Sequence, residues 1–129
     1  MASFETHLDL YQKFRKDAKN AALYKGTRAE VYFLSAYHLI DACAAMEHIH
    51  INKHQKVRST LEYNQFIFKE KTEEVWRAFQ AIENQLRPKF AYSYSWAEDD
   101  FIKIGLNFTI IEKICLEILK DVSGVPTIT

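Results

Sequence analysis

The sequence predicts an all-α protein, an antiparallel up-and-down helical bundle of four long helices and one short helix. Its 129 residues include only 3 glycines and 2 prolines, too few to punctuate a β-sandwich or a barrel. Apolar side chains recur three and four positions apart over long runs, which is the spacing of one face of an α-helix. Because 48% of the residues are hydrophobic, the chain can bury a core of its own. We expect a single helical-bundle domain over residues 1–122 and a flexible tail over residues 123–129.

The first helix is predicted from Phe4 to Tyr24, behind Ser3 as its N-cap. Its apolar positions recur at helical spacing. Gly26 then offers a left-handed C-terminal stop, because glycine adopts a positive φ without steric cost. We therefore expect the first helix to end just before Gly26.

The second helix is predicted from Thr27 to His50. Thr27 and Glu30 have the spacing of a capping box, in which each side chain accepts a hydrogen bond from an otherwise free backbone N–H. The helix is apolar almost all round. We therefore expect it to be buried on several sides, as the central helix of the bundle.

Three more helices complete the predicted bundle. A short helix spans His54 to Tyr63, and a long one spans Gln65 to Leu86, where an apolar stripe close to a heptad repeat ends before Pro88. The last helix runs to about Lys120 and begins at a second capping box, Ser95 to Glu98. Acidic residues in its first turn suit the positive end of the helix dipole.

The charge composition excludes one class of function. Lysine plus arginine number 17, as do aspartate plus glutamate, so a uniformly basic nucleic-acid binder is ruled out. The two cysteines lie far apart in apolar helical patterns, and the N-terminal segment lacks the apolar region of a secretory signal. No run of about 18 residues is apolar throughout, so no membrane span is predicted. We expect a cytoplasmic protein with reduced thiols.

The 5 histidines all lie at or before His54, which raises the question of a metal site. At about 100° per residue, His38 and Asp41 fall on one polar stripe of the second helix. We interpret them as a hydrogen-bonded pair at a helix seam. The alternative is a metal-binding bundle that uses some of five donors: His38, Asp41, Glu47, His48 or His50. Only one Glu-x-x-His spacing is present, whereas carboxylate-bridged di-metal bundles need two, so no metal is predicted.

Two short basic segments are candidates for contact with phosphate. One carries Lys53, Lys56 and Arg58 after the second helix, and the other carries Arg87 and Lys89 among aromatic residues. Cations beside aromatic rings can hold phosphates and stack bases. Residues 1–60 and residues 61–129 also have opposite formal net charges. Such a division suits a polar molecule or a dimer that pairs unlike faces.

The sequence offers little for catalysis. It contains no Gly-x-Ser-x-Gly motif and no phosphate-binding glycine loop, because its 3 glycines are scattered. Cys43 and Cys115 are predicted on buried helical faces, where thiols are usually inert. No catalytic residue and no cofactor is therefore predicted.

One stretch of the chain resembles a known family. The run from Ala29 to Ala42, AEVYFLSAYHLIDA, resembles the central helix of HEPN-type domains, which are small helical bundles of prokaryotes. The runs from His54 to Leu61 and from Leu86 to Tyr92 are similar to later basic segments of some members. The resemblance covers about residues 27–120.

The resemblance implies a bundle that often forms a homodimer. Many members of the family cleave RNA, or are partnered with a small nucleotidyltransferase as a toxin–antitoxin pair. The ribonuclease members carry an arginine that is followed, after four to six residues, by a histidine. Here no histidine follows Arg58, Arg77 or Arg87, and Arg28 lies ten residues before His38. The resemblance therefore points to a member without the ribonuclease motif.

We expect a non-catalytic HEPN-like binding or interaction module that contacts RNA, a nucleotide or a partner protein. The predicted ligand-binding residues are His38, Asp41, His54, Lys56, Arg58, Arg87 and Tyr92. The lysines and arginines would contact phosphate, and His38 and Asp41 would orient one another. The enzymatic alternative is a divergent ribonuclease that uses His54 with Arg58 or Arg87.

Overall fold

The computed structural model describes residues 3–92 and 95–122, and within them every regular element is helical. The α-helices are α1 Phe4–Ala18, α2 Lys25–Met46, α3 Val57–Tyr63, α4 Thr72–Gln80, α5 Arg87–Tyr92 and α6 Glu98–Leu119. A π-helical segment, Ala81–Leu86, joins α4 to α5 without a break, so residues 72–92 form one continuous rod. Short 3₁₀ turns lead into α3 and α4.

These elements confirm the all-α prediction. The finer prediction, an up-and-down order of four long helices and one short helix, stays a prediction. The predicted tail, residues 123–129, lies outside the described residues. No helix in the described part of the chain is both long and apolar enough to cross a membrane.

The helix α2 lies at the centre of the core and packs against α1, α6 and the rod. Many of its side chains are buried, as its apolar pattern predicts. Two hydrogen bonds join it to the backbone of α1: Ser35 Oγ donates to the carbonyl of Tyr11 at 2.9 Å, and Arg28 Nε donates to that of Ala18 at 2.8 Å. Earlier residues of α2 therefore meet later residues of α1, so the two helices run in opposite directions.

A turn between α1 and α2 replaces the boundary that the sequence predicted. The first helix ends at Ala18 instead of Tyr24, because the Asn20 side chain accepts a hydrogen bond from the backbone N–H of Ala22 at 3.0 Å. The second helix already begins at Lys25. Gly26 and Thr27 thus lie inside its first turn, and their predicted roles as helix stop and N-cap are wrong.

The end of α2 is formed by a residue other than glycine. His48 has a φ of 59°, the left-handed conformation that terminates many helices. The N–H of Ile49 donates to the carbonyl of Ala44 at 3.0 Å, and that of His48 donates to the carbonyl of Ala45 at 3.0 Å. This is the hydrogen-bond pattern of a Schellman motif, and it ends the helix at Met46, before the predicted His50.

The rod differs most from its prediction. It begins at Thr72 instead of Gln65. Lys69 has a φ of 55°, which interrupts the helical conformation before Thr72. It also continues through Pro88, which was predicted to end it. A proline ring clashes with the carbonyl four residues earlier in a regular α-helix. The π-helical segment just before Pro88 widens the helix at this point, which relieves that clash.

The start of α6 uses a different capping carboxylate from the one predicted. The backbone N–H of Ala97 donates to Asp100 Oδ2 at 2.9 Å, and Lys89 Nζ donates to Asp100 Oδ1 at 3.0 Å. The first of these bonds, with the second adding to it, lowers the pKa of Asp100. Glu98 pairs with Lys25 instead, so the capping box predicted from Ser95 to Glu98 is wrong.

A buried polar cluster joins α1 to α6. Glu112 Oε2 accepts hydrogen bonds from the Tyr11 hydroxyl at 2.5 Å and from Arg15 Nε at 2.5 Å. Glu112 is buried, whereas Arg15 reaches the surface. Burial and the bond to Glu112 raise the pKa of Tyr11. One acidic residue in the core is thus satisfied by two donors from a single neighbouring helix.

Candidate ligand-binding site

The structure gathers four of the predicted site residues into two polar clusters on either side of Tyr37. The histidine cluster consists of His7, His38 and Asp41, and the arginine seam consists of Glu30, Phe33, His54, Glu83 and Arg87. The Tyr37 ring lies with its centroid 5.4 Å from that of His38 and 6.3 Å from that of His54. The two clusters therefore lie next to each other along α2, which contributes residues to both.

In the histidine cluster, His7 links the two residues that were predicted to orient one another. Its Nδ1 lies 3.0 Å from His38 Nδ1, and its Nε2 lies 3.3 Å from Asp41 Oδ2. The expected hydrogen-bonded pair of His38 and Asp41 is therefore corrected to a chain of three side chains. The reason is the antiparallel packing of α1 on α2, which brings His7 against this stripe.

The electrostatics of the histidine cluster favour a neutral His38. Burial, with a smaller contribution from His7, lowers the pKa of His38 to about 4. Burial also raises the pKa of Asp41, although His7 and a hydrogen bond from the Ile51 N–H oppose that shift. The two facing Nδ1 atoms share one hydrogen bond. When His38 is neutral, one of these atoms therefore carries the proton and the other accepts it.

A cavity of about 260 Å³ opens beside the histidine cluster. Its lining includes Tyr37, His38 and Asp41 from α2 and the connector residues Ile51 and Asn52. Two hydrogen bonds hold the connector against α2: the Ile51 N–H donates to Asp41 Oδ1 at 3.3 Å, and the Tyr37 hydroxyl donates to the Ile51 carbonyl at 2.9 Å. Burial raises the pKa of Tyr37 to about 12, so this hydroxyl stays protonated.

In the arginine seam, side chains from two distant basic segments meet on one aromatic ring. The guanidinium carbon of Arg87 lies 4.1 Å from the centre of the Phe33 ring, and the His54 ring meets the same ring edge-on with centroids 5.1 Å apart. Each of the two also has an acidic neighbour: Arg87 lies 3.3 Å from Glu30, and His54 Nδ1 pairs with Glu83. These contacts hold both side chains in place in the absence of a ligand.

Two features of the seam bear on its chemistry. Within the part of the chain that the structure describes, the buried Nε of Arg87 has no hydrogen-bond partner. The carboxylate of Glu83 at Nδ1 of His54 favours the tautomer that leaves Nε2 as the basic nitrogen. Glu83 belongs to the π-helical segment, and such segments occur frequently at functional sites.

Three predicted site residues lie apart from both clusters. Arg58 packs its guanidinium 4.0 Å from the centre of the Trp76 ring and pairs with Glu62 at 3.4 Å. Lys56 follows His54 by two positions in the sequence, and its side chain is exposed. Tyr92 is 83% exposed at the end of α5. The structure therefore brings the basic segments together through His54 and Arg87 alone.

Sequence reasoning missed four members of the clusters as site residues: His7, Glu30, Phe33 and Glu83. Glu30 was interpreted as part of a capping box. His7 stands alone on α1, and no local pattern signals its role, because its partners lie on another helix. Glu83 precedes Arg87 by four positions, a helical spacing that places both on one face and was open to recognition. Phe33 was recognised only as a core residue. Its ring is buried, but it also contacts both Arg87 and His54.

The donors of the metal-binding alternative are not gathered in one place. Among residues 3–92 and 95–122, no group of three or more histidine, cysteine, aspartate or glutamate side chains is placed to hold a metal ion. In the comparisons with known proteins, no family model, no curated protein and no solved structure matches the chain.

Proposed function

We propose that the chain is a non-catalytic, HEPN-like binding module that holds RNA or a nucleotide across the arginine seam and the adjoining cavity. One observation carries the proposal: two basic segments that are far apart in sequence converge on the ring of Phe33. The guanidinium carbon of Arg87 lies 4.1 Å from the centre of that ring, and a guanidinium so placed can still direct terminal N–H donors to phosphate oxygens. Arg87 is therefore the central phosphate contact of the proposed site.

The cavity on the other side of Tyr37 suits the base of such a ligand. Tyr37 and His38 both contribute aromatic rings to its lining. Aromatic rings stack on any base, so they add affinity without demanding a sequence. The predicted residues then divide their roles, with His38 beside the base and with His54, Lys56 and Arg87 near the phosphate. Asp41 holds His7 and the connector in place.

The acidic partners of the seam set the expected strength of binding. Glu30 and Glu83 contact Arg87 and His54 in the absence of a ligand. A phosphate must displace at least the Glu30 carboxylate from Arg87, which offsets part of the gain. We therefore expect weak, salt-dependent binding. If the two cations Arg87 and Lys56 contact a single-stranded RNA, log K should fall with log salt with a slope of about −1.4.

The test is a titration of a short fluorescent single-stranded RNA, and separately of a labelled adenine nucleotide, at increasing salt concentration. Arg87→Gln should weaken binding about tenfold and make the slope less steep by about 0.7. Lys56→Gln, at an exposed position, should weaken binding less but in the same direction. Arg77→Gln is the matched control, because Arg77 lies on the same rod but contacts exposed Glu73 and the Trp76 ring instead of the arginine seam.

Two outcomes would contradict the binding proposal. The first is the absence of any binding to RNA or nucleotide at low salt by the folded protein. The second is equal weakening by Arg87→Gln and Arg77→Gln, because a general loss of positive charge would then explain the effect. Helical content measured by circular dichroism shows whether each variant is folded.

A second candidate function is ribonuclease activity, which one observation favours. The pair of His54 and Glu83 resembles in geometry the histidine–carboxylate pairs that act as general bases, and Arg87 shares the ring of Phe33 with His54. Such a base would take the proton of an RNA 2′-hydroxyl while its oxygen forms a bond to the adjacent phosphorus and the bond from phosphorus to the 5′-oxygen breaks. The leaving 5′-oxygen would take up a proton from water, and Arg87 would stabilise the charged phosphate. Cleavage of several purified RNAs by the wild type and its loss in His54→Ala are required. Wild-type inactivity would exclude this function.

The proposal extends to the wider context of the protein. The antiparallel contacts of α1 with α2 support the up-and-down bundle as the architecture. The HEPN resemblance suggests a cytoplasmic protein whose partners are a second copy or a small nucleotidyltransferase. A nucleotidyltransferase gene next to the gene for this chain would support the second of these partners.

A further inference from the structure

The histidine cluster is a chain of polar contacts that ends at the cavity beside Tyr37. Asp41 Oδ1 accepts a hydrogen bond from the Ile51 N–H, and Asp41 Oδ2 lies 3.3 Å from His7 Nε2. His7 Nδ1 in turn lies 3.0 Å from His38 Nδ1. His38 lines the cavity, and within the described residues its Nε2 has no hydrogen-bond partner. One ring nitrogen of the cluster is therefore left for a ligand.

The orientation of the His38 ring is fixed by its neighbours. The Phe14 ring stacks on it with centroids 5.8 Å apart and an angle of 18° between the planes, and the centroid of the Tyr37 ring is 5.4 Å away. The centroids of His7 and His38 are 5.3 Å apart, nearly the largest separation that their Nδ1 contact allows. The two imidazole rings therefore meet end to end, with Nδ1 facing Nδ1.

These contacts determine which imidazole nitrogens carry protons. A carboxylate oxygen beside His7 Nε2 favours a proton on that nitrogen, because two facing lone pairs would repel each other. A neutral His7 then has a lone pair at Nδ1, so His38 must donate through its own Nδ1. Burial lowers the pKa of His38 to about 4, so at neutral pH His38 holds only that one proton. Its Nε2 is consequently a hydrogen-bond acceptor.

From this chain of contacts we infer that the cavity selects a base with an exocyclic amino group, such as adenine or cytosine, and that His7 is the positioning residue for this selection. The selection rests on the proposed function and deepens it, because it names the class of base. The amino groups of adenine and cytosine are hydrogen-bond donors, which the acceptor at His38 Nε2 recognises. A base without the amino group leaves that acceptor unpaired, which weakens binding.

Protonation of His7 would reverse the polarity of the chain. The titratable groups around His7 at the cavity are Tyr37, His38 and Asp41 from α2 and His50 from the connector. A charged imidazole donates through both nitrogens, so His7 Nδ1 would donate to His38 Nδ1. A neutral His38 would then carry its proton on Nε2 instead of Nδ1. The cavity would present a donor to the ligand and lose its preference for an amino group.

The first test observes the tautomer of His38 without a ligand. In a long-range ¹⁵N–¹H correlation spectrum of the wild type at neutral pH, His38 should show a protonated Nδ1 and an unprotonated Nε2. Asp41→Asn should show the opposite tautomer. Its amide oxygen would accept from the Ile51 N–H, so its amide N–H₂ would face His7 Nε2 and favour a lone pair there. A wild type with the proton on His38 Nε2 would overturn the inference.

The second test compares the affinities for AMP and for the 5′-monophosphate of purine riboside, which lacks only the amino group, by isothermal titration calorimetry. The wild type should bind AMP about fivefold more tightly above the pH at which the NMR signals of His7 titrate, and should lose that preference below it. The shared phosphate cancels in this ratio. Asp41→Asn should show no preference at any pH.

Two further variants separate the relay from the structure of the cavity. His7→Gln should keep the preference for AMP but lose its pH dependence, because a glutamine amide can accept from His38 Nδ1 and donate to Asp41 without titrating. His50→Gln is the matched control, since His50 is exposed and lines the same cavity, and it should keep both the preference and its pH dependence. Circular dichroism shows whether each variant is folded.

The outcomes distinguish this selection from the proposed function. Equal affinity of the wild type for the two nucleotides, or an unchanged pH dependence in folded His7→Gln, would overturn the selection and leave the proposed binding at Arg87 standing. If neither nucleotide nor RNA binds at low salt, the proposed function fails and the selection fails with it, whichever tautomer of His38 the spectrum shows.

Discussion

Glu112 shows how a single charged residue is accommodated in this core. Its carboxylate is buried, yet it accepts hydrogen bonds from the Tyr11 hydroxyl and the Arg15 guanidinium. An acidic group in an apolar environment is costly unless its charge is paired and its lone pairs are satisfied. The cluster therefore stabilises the contact of α1 with α6 only as long as all its members are present.

Removing the carboxylate should strongly destabilise the fold. Glu112→Ala leaves the buried Tyr11 hydroxyl without its acceptor and should lower the free energy of unfolding by about 3 kcal/mol. Glu112→Gln keeps the shape and one acceptor, so a smaller loss is expected. Urea denaturation followed by circular dichroism measures both changes.

The control for this prediction is an exposed ion pair on α1, the helix that supplies Tyr11 and Arg15. Asp9 and Lys13 are in contact at 2.8 Å but both are well exposed. Asp9→Ala should change the free energy of unfolding by no more than about 0.5 kcal/mol. A comparable loss for Asp9→Ala and Glu112→Ala would mean that burial does not determine the contribution.

At the scale of the element, the ends of α2 show tertiary context acting against local preference. His48 adopts a left-handed conformation that side chains with a Cβ adopt at a cost of about 1 kcal/mol or more. Two backbone hydrogen bonds close the helix at this residue. The connector that follows is held in turn by Asp41 and Tyr37. The strain at His48 thus persists because the chain on both sides is fixed.

Glycine at this position should stabilise the protein. His48→Gly removes the steric cost of the positive φ, so we expect a gain of about 1 kcal/mol, or an increase in Tm of about 2–5 °C. His50→Gly is the matched control, because His50 is also exposed but has no positive φ. It should lower Tm, because glycine gains only unfolded-state entropy there. An increase in the Tm of both variants would refute the role of backbone strain at His48.

The boundaries of the helices were the least predictable part of the fold. Gly26 and Thr27 have the local chemistry of a stop and a cap, yet both lie inside α2. The turn is set by Asn20 instead, a residue whose side chain can bond to the backbone in many local contexts. Proline likewise ends most helices, but a wider turn just before Pro88 lets the rod continue. Several local signals competed at each boundary, and packing selected among them.

At the scale of the whole molecule, the histidine cluster ties three parts of the chain together. His7 belongs to α1, His38 and Asp41 belong to α2, and Asp41 also binds the backbone of Ile51 in the connector. The cluster contains groups whose pKa values burial shifts in opposite directions. Stability should therefore depend on pH through this cluster.

Acidification should destabilise the protein through His38. Its pKa is about 4 in the folded state against 6.5 as its ordinary value, so the unfolded chain binds more protons between these values. The contribution of His38 to the free energy of unfolding is fully present above about pH 6.5. It should fall by about 1 kcal/mol by pH 5, allowing for partial solvent screening. Thermal unfolding at a series of pH values measures this decrease.

Two variants separate His38 from the other groups. His38→Asn retains a polar atom near the position of Nδ1 but does not titrate, so its Tm should change less between pH 7 and pH 5. His48→Asn, at an exposed position, should retain the wild-type pH dependence. Asp41 opposes the effect at lower pH, because its raised pKa makes the folded state take up a proton first. Equal pH dependence in all three proteins would contradict the assignment to His38.

The all-α class was predictable because it depends on local information. Helical periodicity and the scarcity of turn residues are both visible in short windows of sequence. The site was only partly predictable, because its contacts join distant parts of the chain. His7 and His38 are 31 positions apart, and Arg87 and Glu30 are 57 apart. No spacing rule relates such residues until the packing of the helices is known.

The π-helical segment Ala81–Leu86 also sets the rotational phase of everything that follows it in the rod. A wide turn adds a residue to the helix without advancing its face, and each residue corresponds to about 100° of rotation. Deleting one exposed residue there, such as Asn84, would therefore convert the wide turn into a regular α-helical turn and keep Arg87 over Phe33 and Phe90 beside Trp96. In a regular α-helical turn, the same deletion would rotate all the following residues by about 100°. The π-helical segment is thus a place where the rod can lose one residue without losing its contacts.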